Sequence, residues 1–370
     1  MLPRRREEYY INLNPLQTGS RTNKAVRMTA LEFIDGYAVC DYCKGVLHLI
    51  EKPPICDLTS DLAEFLGMDE VRFTLGAREG KFAVIHALLS LGDVIVCDSN
   101  RHYTTYVAAE RVGAKLYEVE NTGYPEYEIR PQSYREVFER VIKETGSPPQ
   151  LAILTHVDGD YGNLVNAKEV SKICNEFDVP FLLNAAYTAG RMEIKGKELG
   201  ADFLVASCHK GFGVPGTLGI LATTKKWVDL LFRKSNTYKN KDIELLGCTA
   251  RSCSIVSLIT AMPFVKERIG HWEEEVEKVR WFVKEMESLG GIRQLGIRPK
   301  QHDLIRFETP VFAEVAKHHR KRGYFLYHEL EKRGVVGIKP GQTDWFKLST
   351  YGLSWDQVKY LFEVFKEING

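Results

Sequence analysis

An alternation of short apolar segments with helical patterns, from about residue 57 to residue 232, constrains the fold more than any other feature of this sequence. The apolar segments DVIVCD (93–98), LAILTH (151–156) and PFLLN (180–184) are typical of buried strands, and 131–146 has the spacing of an amphipathic helix. This order predicts an α/β fold with a mostly parallel, doubly wound sheet. Functional side chains are then expected where the strands end.

The rest of the chain predicts a second, smaller unit. A polar break at 234–244 precedes a helix-rich bridge that runs to about residue 290, and the remaining residues have the pattern of a small α/β domain. We therefore expect an N-terminal segment (1–56), a large domain (57–245), and bridging helices with a small C-terminal domain (246–370).

The segment ADFLVASCHKGFGVPG (201–216) carries the most specific chemistry, because a buried strand leads directly to Lys210. A lysine at the mouth of such a strand loses hydration, its ammonium pKa falls, and the neutral amine can form a Schiff base. The Ser207 hydroxyl and the His209 ring are suited to hold a phosphate beside it. The candidate cofactor is pyridoxal 5'-phosphate, although a lysine after a strand is more often a solvated loop residue.

Other strand ends supply the remaining parts of such a site. Residues 71–91 predict a strand, a glycine turn and a helix whose first backbone N–H groups can bind an anion. A histidine after the 93–98 strand can stack on a pyridine ring. Each residue alone has an ordinary structural explanation. Several strand ends that all carry residues suited to one cofactor site favour a shared pocket. The candidates are Gly76, Ala77, Arg78, Arg101, His102, His156, Asp158 and Asn184.

These segments resemble the fold-type I pyridoxal phosphate enzymes, and in particular their cysteine desulfurase branch. The matching segments are LGAREG, SNRH, THVDGDYG, NAAYTAGR and SCHKGFGVPG. With the segments NLNPLQTGSRT, CDYC and LGCTARS, the whole chain resembles the archaeal O-phosphoseryl-tRNA:cysteinyl-tRNA synthases. Those enzymes convert phosphoserine already attached to cysteine tRNA into cysteine.

The resemblance implies a homodimeric transferase that replaces phosphate with sulfur, through a dehydroalanyl intermediate and a cysteine persulfide. Lys210 would bind the cofactor and act as base, His102 would stack on its ring, and Tyr187 would be a further contact. Arg78 and Arg101 are the candidates for steering the leaving phosphate, with His102 as a possible acid. The implied partners are phosphoseryl-tRNA(Cys) and phosphoseryl-tRNA synthetase, and the sulfur donor stays open.

Two positions depart from the usual fold-type I pattern. Asn184 stands where these enzymes generally place an aspartate against the pyridine nitrogen, and a neutral amide makes the ring a weaker electron sink. Lys347 stands where an arginine normally clamps the substrate α-carboxylate, which lysine does poorly. Both departures fit a substrate esterified to tRNA, which has no free α-carboxylate. A degraded desulfurase would show them as well.

The cysteines divide into two groups. Cys56, Cys97, Cys174, Cys208 and Cys253 are interpreted as small apolar residues. The pair Cys40 and Cys43, with Cys248 as a third, is expected to carry a persulfide, with an iron–sulfur cluster or an inert structural trio as alternatives. A zinc site is disfavoured because nothing completes a tetrahedral ligand set.

Charge and hydropathy limit the remaining classes. The chain has 50 Lys and Arg against 49 Asp and Glu, a formal net charge of +1, so an RNA-binding surface must be local. No segment is apolar enough to cross a bilayer and no signal peptide is apparent, so we expect a cytoplasmic protein. The candidate basic clusters are 4–6, then Arg21 with Lys24 and Arg27, then 233–241 and 317–322.

Two competing functions stay open at this point. A cysteine desulfurase or selenocysteine lyase would use the same fold on a free amino acid. A non-catalytic subunit would keep the fold to bind tRNA or a synthetase, although Lys210 argues against it.

Overall fold

The computed structural model describes residues 10–14, 22–34, 54–247 and 253–370. None of the helices in these ranges is long and apolar enough to span a membrane. The strands are β1 (Ile11–Asn12), β2 (Glu70–Thr74), β3 (Val94–Asp98), β4 (Lys115–Val119), β5 (Leu151–Thr155), β6 (Phe181–Asn184), β7 (Phe203–Ser207), β8 (Gly219–Thr223), β9 (Arg293–Leu295), β10 (Leu304–Glu308), β11 (Val335–Val336) and β12 (Trp345–Ser349). The helices are α1 (Lys24–Glu32), α2 (Ile55–Phe65), α3 (Ala77–Leu88), α4 (Thr104–Val112), α5 (Gln132–Thr145), α6 (Ala167–Glu176), α7 (Cys208–Gly211), α8 (Val228–Leu231), α9 (Cys253–Ile269), α10 (Trp272–Ser288), α11 (Pro310–His318), α12 (Phe325–Lys332) and α13 (Trp355–Asn369).

Local sequence signals explain several of these boundaries. The Asn166 side chain accepts a hydrogen bond from the backbone N–H of Glu169 and starts α6. Ser354 and Gln357 form a reciprocal capping box at the start of α13. Strands β3, β5, β6 and β7 are buried along their whole length, which explains why they are continuous apolar runs.

The large sheet has seven strands in the order β2-β8-β7-β6-β5-β3-β4. Neighbours from β4 to β7 are parallel, whereas β8 runs antiparallel between β2 and β7. The predicted mostly parallel α/β sheet is therefore confirmed. Because the parallel strands point the same way, β3, β5, β6 and β7 all end at one edge of the sheet.

A second lobe is built on the antiparallel sheet β12-β10-β9. Its core includes Ile11 and Leu13, because β1 pairs in parallel with β11. Residues 11–13 thus pack with the C-terminal lobe, although they were predicted to belong to a separate N-terminal segment. In α9, Ile255 and Leu258 belong to the core of the large lobe. The predicted division at residues 245 and 246 stays a prediction.

A buried ion pair joins the two lobes. Arg191 Nη1 lies 2.7 Å from Asp303 Oδ2, and both side chains are 0% exposed. The Ser349 hydroxyl donates to the same carboxylate oxygen, at 2.5 Å. Burial acts to raise the pKa of Asp303, but Arg191, His302 and these hydrogen bonds together lower it below its ordinary value. Asp303 is therefore ionised, and the pair fixes the start of β10 against the loop that follows β6.

We predict that Arg191→Met lowers the free energy of unfolding by about 3 to 5 kcal/mol, because it leaves the Asp303 charge buried and uncompensated. The measurement is urea denaturation followed by tryptophan fluorescence. The double variant Arg191→Met with Asp303→Asn removes both charges and is expected to regain at least half of the loss. A single variant as stable as the unchanged protein would contradict this account of the lobe contact.

Candidate active site

A pocket of about 730 Å³ lies where β3, β5, β6 and β7 end, and β12 of the small lobe closes its other side. It is positioned as the topology of an open α/β sheet requires. The predicted residues that line it are Gly76, Ala77, Arg78, Arg101, His102, Asn184, Tyr187, Ser207, His209 and Lys210. The structure thus brings together residues from four strand ends separated by up to 134 positions in the sequence.

Lys210 lies in α7, a single helical turn at the end of β7, where the sequence analysis expected only a polar turn. Its side chain is 8% exposed, and its Nζ lies 3.7 Å from the centroid of the Tyr187 ring. Burial, with the nearby charges of Arg191 and Lys81, lowers the pKa of Lys210 to about 7. At neutral pH a large fraction of this amine is uncharged and nucleophilic.

Close backbone packing holds α7 in place. A Cβ atom on Gly211 would lie 2.1 Å from the Ala189 carbonyl oxygen, so only glycine fits at that position. Arg268 of α9 donates to the carbonyl oxygens of Gly190 and Gly211. The turn that carries Lys210 is thereby tied to the loop that follows β6.

The N-terminus of α3 forms an anion cradle with β7. The backbone N–H of Ala77 donates to the Ser207 hydroxyl at 3.4 Å. Strand β8 passes directly beneath the turn, and a Cβ on Gly219 would lie 2.4 Å from the Gly76 carbonyl carbon. The start of α3, the Ser207 O–H and the His209 ring together suit a phosphate group.

His102 and Asn184 are suited to contact an aromatic ring. Partial burial, with Lys81, Lys210 and Arg78 nearby, lowers the pKa of His102 to about 4, so its imidazole is neutral at pH 7. A neutral ring fits stacking better than the acid role. The Asn184 Oδ1 accepts from the backbone N–H of Ala186 at 3.3 Å. This orients the amide N–H₂ as the donor available to a ligand nitrogen.

The two predicted arginines differ in their contacts. Arg101 is paired with Glu118 at 2.9 Å and its guanidinium lies over the Tyr106 ring at 3.8 Å. Arg78 is exposed and makes no ion pair with any described residue. Arg78 is therefore the better placed of the two to meet a mobile phosphate.

The structure does not bring His156 and Asp158 to the pocket. His156 is buried, and its Nδ1 lies 3.1 Å from the Thr188 hydroxyl. The Asp158 carboxylate accepts the backbone N–H groups of Asp160, Tyr161 and Asn163, and it shapes that loop. Both side chains thus have contacts within the protein and are absent from the pocket lining, and their predicted contact with a cofactor stays a prediction.

The predicted cysteine trio, Cys40, Cys43 and Cys248, lies outside the described residues. Among the other five, Cys97, Cys174 and Cys208 are buried, as their interpretation as small apolar residues requires. Cys56 and Cys253 are only partly buried. Groups of three or more His, Cys, Asp or Glu that could hold a metal are absent from the part of the chain that the structure describes.

Sequence reasoning missed Lys81. It lines the pocket, is 1% exposed, and donates from Nζ to the Thr105 hydroxyl at 2.7 Å. Burial lowers the pKa of Lys81 to about 8, although Asp98 partly opposes this. The available signal was a single lysine on the otherwise apolar buried face of α3.

Lys347, the second departure from the family pattern, also lines the pocket. Its Nζ donates to the Gly159 carbonyl oxygen at 2.9 Å and to Asp160 Oδ1 at 3.0 Å. The ammonium group is therefore bound by protein oxygens and is not positioned as a free partner for a substrate α-carboxylate.

The chain matches known proteins along nearly its whole length. The family model described as "O-phosphoseryl-tRNA(Sec) selenium transferase, SepSecS" matches residues 83–369. A protein of Methanothermobacter thermautotrophicus named O-phospho-L-seryl-tRNA:Cys-tRNA synthase is 50% identical over 367 residues, which cover 99% of this chain and 97% of that protein.

Solved structures agree with the sheet described above. One chain in a crystal structure of a SepCysS-SepCysE N-terminal domain complex is 48% identical, with a TM-score of 0.92 over 99% of this chain and 96% of that one. The cysteine desulfurase of Thermococcus onnurineus NA1 has a TM-score of 0.78 over 100% of this chain and 99% of that one, at 19% identity. The predicted fold-type I fold is confirmed.

We predict that Lys210 of the cofactor-free protein reacts with acetic anhydride with a midpoint near pH 7, because only the neutral amine, present above the pKa, is nucleophilic. Competitive labelling with peptide mass spectrometry measures the midpoint. Lys81→Met removes a neighbouring cation that lowers the pKa of Lys210, so it should move the midpoint upward. A midpoint close to 10.5, the ordinary lysine value, would contradict the desolvation argument.

Proposed function

The chain belongs to the family of O-phospho-L-seryl-tRNA:Cys-tRNA synthases, and on that premise we propose that it converts O-phosphoseryl-tRNA(Cys) to cysteinyl-tRNA(Cys). The observation that carries the proposal is the charge of the pocket. Among the described lining residues Asp160 is the single carboxylate, against five basic residues besides Lys210, which are Arg78, Lys81, Arg101, Lys339 and Lys347. With a net charge of only +1 on the whole chain, this concentration favours a ligand rich in phosphate.

Pyridoxal phosphate is the cofactor in this proposal. Lys210 would hold its aldehyde carbon, the cradle of Ala77, Ser207 and His209 its phosphate, and Asn184 its pyridine nitrogen. When bound, the cofactor supplies an electron sink that weakens the bonds to Cα hydrogen and to the β-phosphate. The Asn184 amide would donate a hydrogen bond to the ring nitrogen but would bring no negative charge, so the sink would be weak. A weak sink suffices because phosphate is a good leaving group.

The protein groups divide the remaining work. A large fraction of the Lys210 amine is neutral at pH 7 and can take the Cα proton. Arg78, exposed at the pocket and free of ion pairs with described residues, meets the phosphate that leaves. Lys81 adds a fixed positive charge at the pocket floor, which favours anions there.

Sulfur delivery is assigned to Cys40, Cys43 and Cys248, which the described residues do not include. In this proposal one of them carries a persulfide, its outer sulfur bonds to Cβ, and a second thiol reduces the resulting S–S bond. The two thiols end as a disulfide, which a thiol reductant must reopen before the next turnover. An iron–sulfur cluster on the same residues stays a prediction.

The proposal includes the partners with which this chain assembles. The relative with 48% identity crystallised with the SepCysE N-terminal domain, so a surface of this chain is proposed to dock a partner protein. We also propose a homodimer, a cytoplasmic location, and a complex with phosphoseryl-tRNA synthetase. Sedimentation of the purified chain, alone and with the synthetase, tests the two assemblies.

We predict that Ala at Cys40, Cys43 or Cys248 leaves phosphate release from phosphoseryl-tRNA intact but stops the formation of cysteinyl-tRNA, because elimination needs Lys210 and no thiol. The tRNA should then carry dehydroalanine or its hydrolysis product, the pyruvyl ester, identified by mass spectrometry. Lys210→Ala is the matched control, because it should stop phosphate release as well. Normal cysteinyl-tRNA yields from all three cysteine variants would disprove the persulfide role.

We predict that free O-phosphoserine is turned over with a kcat/KM roughly 10- to 100-fold below that of the tRNA ester, since no bidentate arginine clamps its carboxylate. Activity on the tRNA ester should also fall with salt, with a log–log slope of roughly −0.7 to −0.9 per phosphate contact. Lys347→Arg should reduce the difference in kcat/KM between free O-phosphoserine and the tRNA ester. Free cysteine or free phosphoserine used as fast as the ester, without salt dependence, would favour the desulfurase alternative instead.

A further inference from the structure

Four side chains beside the pocket form one continuous stack, called here the aromatic stack (Tyr127, Tyr161, Arg306 and Trp345). The rings of Tyr127 and Tyr161 are parallel within 10°, with centroids 4.0 Å apart. The Arg306 guanidinium lies over Tyr161 at 5.2 Å and over Trp345 at 4.0 Å. Because Trp345 also lines the pocket, the aromatic stack ends at the pocket wall.

The aromatic stack is not part of a hydrophobic core. All four of its side chains are partly exposed, and none of the three rings belongs to a buried apolar cluster of the described chain. Aromatic rings held together outside the core, with a cation between them, are a feature of surfaces that bind nucleobases.

Among the described residues, Arg306 has no anionic partner. Its side chain makes no hydrogen bond or ion pair with them, and its Nε is buried without a partner. Its cross-strand neighbour is Lys347, so two cations lie side by side on one face of the sheet. Like charges in that position destabilise a sheet. The nearby carboxylates are engaged elsewhere, since Glu308 accepts from the Tyr124 hydroxyl and Asp160 binds Lys347.

The chemistry of an aminoacyl ester determines what must lie at this wall. The inference rests on the proposed function, in which the amino acid is joined to the ribose of the 3'-terminal nucleotide. When the aminoacyl group reaches Lys210, the attached adenosine and the unpaired nucleotides before it must lie at the edge of the same pocket. Trp345 stands at that edge on β12, two residues from Lys347.

We propose that the aromatic stack binds the unpaired 3' end of the tRNA, with a terminal base on Trp345 and a backbone phosphate on Arg306. Stacking on an aromatic side chain suits any base, and a guanidinium pairs with two phosphate oxygens at once. The bound phosphate would also relieve the repulsion between Arg306 and Lys347. The amino acid is thereby positioned through its nucleotide, in place of a carboxylate clamp.

The test compares two RNA hairpins with the same stem, one ending in the unpaired 3' nucleotides and one blunt, by fluorescence anisotropy on the holoenzyme. Trp345→Ala should weaken binding of the overhang hairpin about 5- to 100-fold and leave the blunt hairpin unchanged. Arg306→Met should act in the same direction. Trp345→Phe keeps a stacking surface and should retain most of the affinity. Tyr360 is an exposed aromatic residue on α13, so Tyr360→Ala is the matched control and should leave the affinity for both hairpins unchanged.

The inference is overturned if Trp345→Ala and Arg306→Met bind both hairpins as the unchanged protein does, or lose equal affinity for both. Retained cofactor absorbance shows that each variant is folded. The proposed function is tested by a different result: it is wrong if the unchanged protein does not convert phosphoseryl-tRNA. If the unchanged protein converts it and the variants keep the same preference for the overhang, only the role of the aromatic stack is wrong.

Discussion

The buried ion pair between Arg191 and Asp303 is the interaction on which the rest of the site depends. Arg191 lies in the loop that follows β6, and Asp303 immediately precedes β10, which pairs with β12. The same junction holds His302, whose Nε2 donates to the Tyr187 carbonyl oxygen. Desolvating two charges costs much of what their attraction returns, so the benefit is geometric. The pair sets the separation between the face that holds Lys210 and the strand that carries Lys347.

The pocket concentrates positive charge, and Asp160 is the single carboxylate among its described lining residues. The consequences are visible in the titratable groups. Burial lowers the pKa values of Lys210, Lys81 and His102, and nearby cations lower those of Lys210 and His102 further. Burial is the main cause of the lowered Lys210 pKa and neighbouring cations add to it, and the same cations attract phosphate. Asn184 keeps the ring side of the pocket uncharged, so the phosphates of cofactor and substrate are the anions that complete the site. The cations of the pocket therefore contribute both to the reactivity of Lys210 and to the preference for phosphate.

Much of this could be predicted from the sequence. The strands β3, β5 and β6 are uninterrupted apolar runs, and their ends place polar residues at one sheet edge, so Lys210, His102 and Asn184 were identified by pattern alone. The antiparallel direction of β8 and the pairing of β1 with β11 were not predicted, because strand order depends on contacts between distant segments. His156 and Asp158 also follow a strand, but they turn inward to bond Thr188 and backbone N–H groups. Lys81 was missed because a lysine inside a helix pattern is normally solvent-exposed.

The central claim is that the pocket recognises an amino acid through an attached nucleotide and not through its carboxylate. The most direct measurement compares the dissociation constants of free O-phosphoserine and of a stable amide of O-phosphoserine with 3'-amino-3'-deoxyadenosine, by calorimetry on the Lys210→Ala protein loaded with cofactor. The account predicts that the adenosine amide binds more tightly by at least about tenfold, the gain expected from one stacked base and the absent carboxylate. Equal or tighter binding of free O-phosphoserine would contradict it.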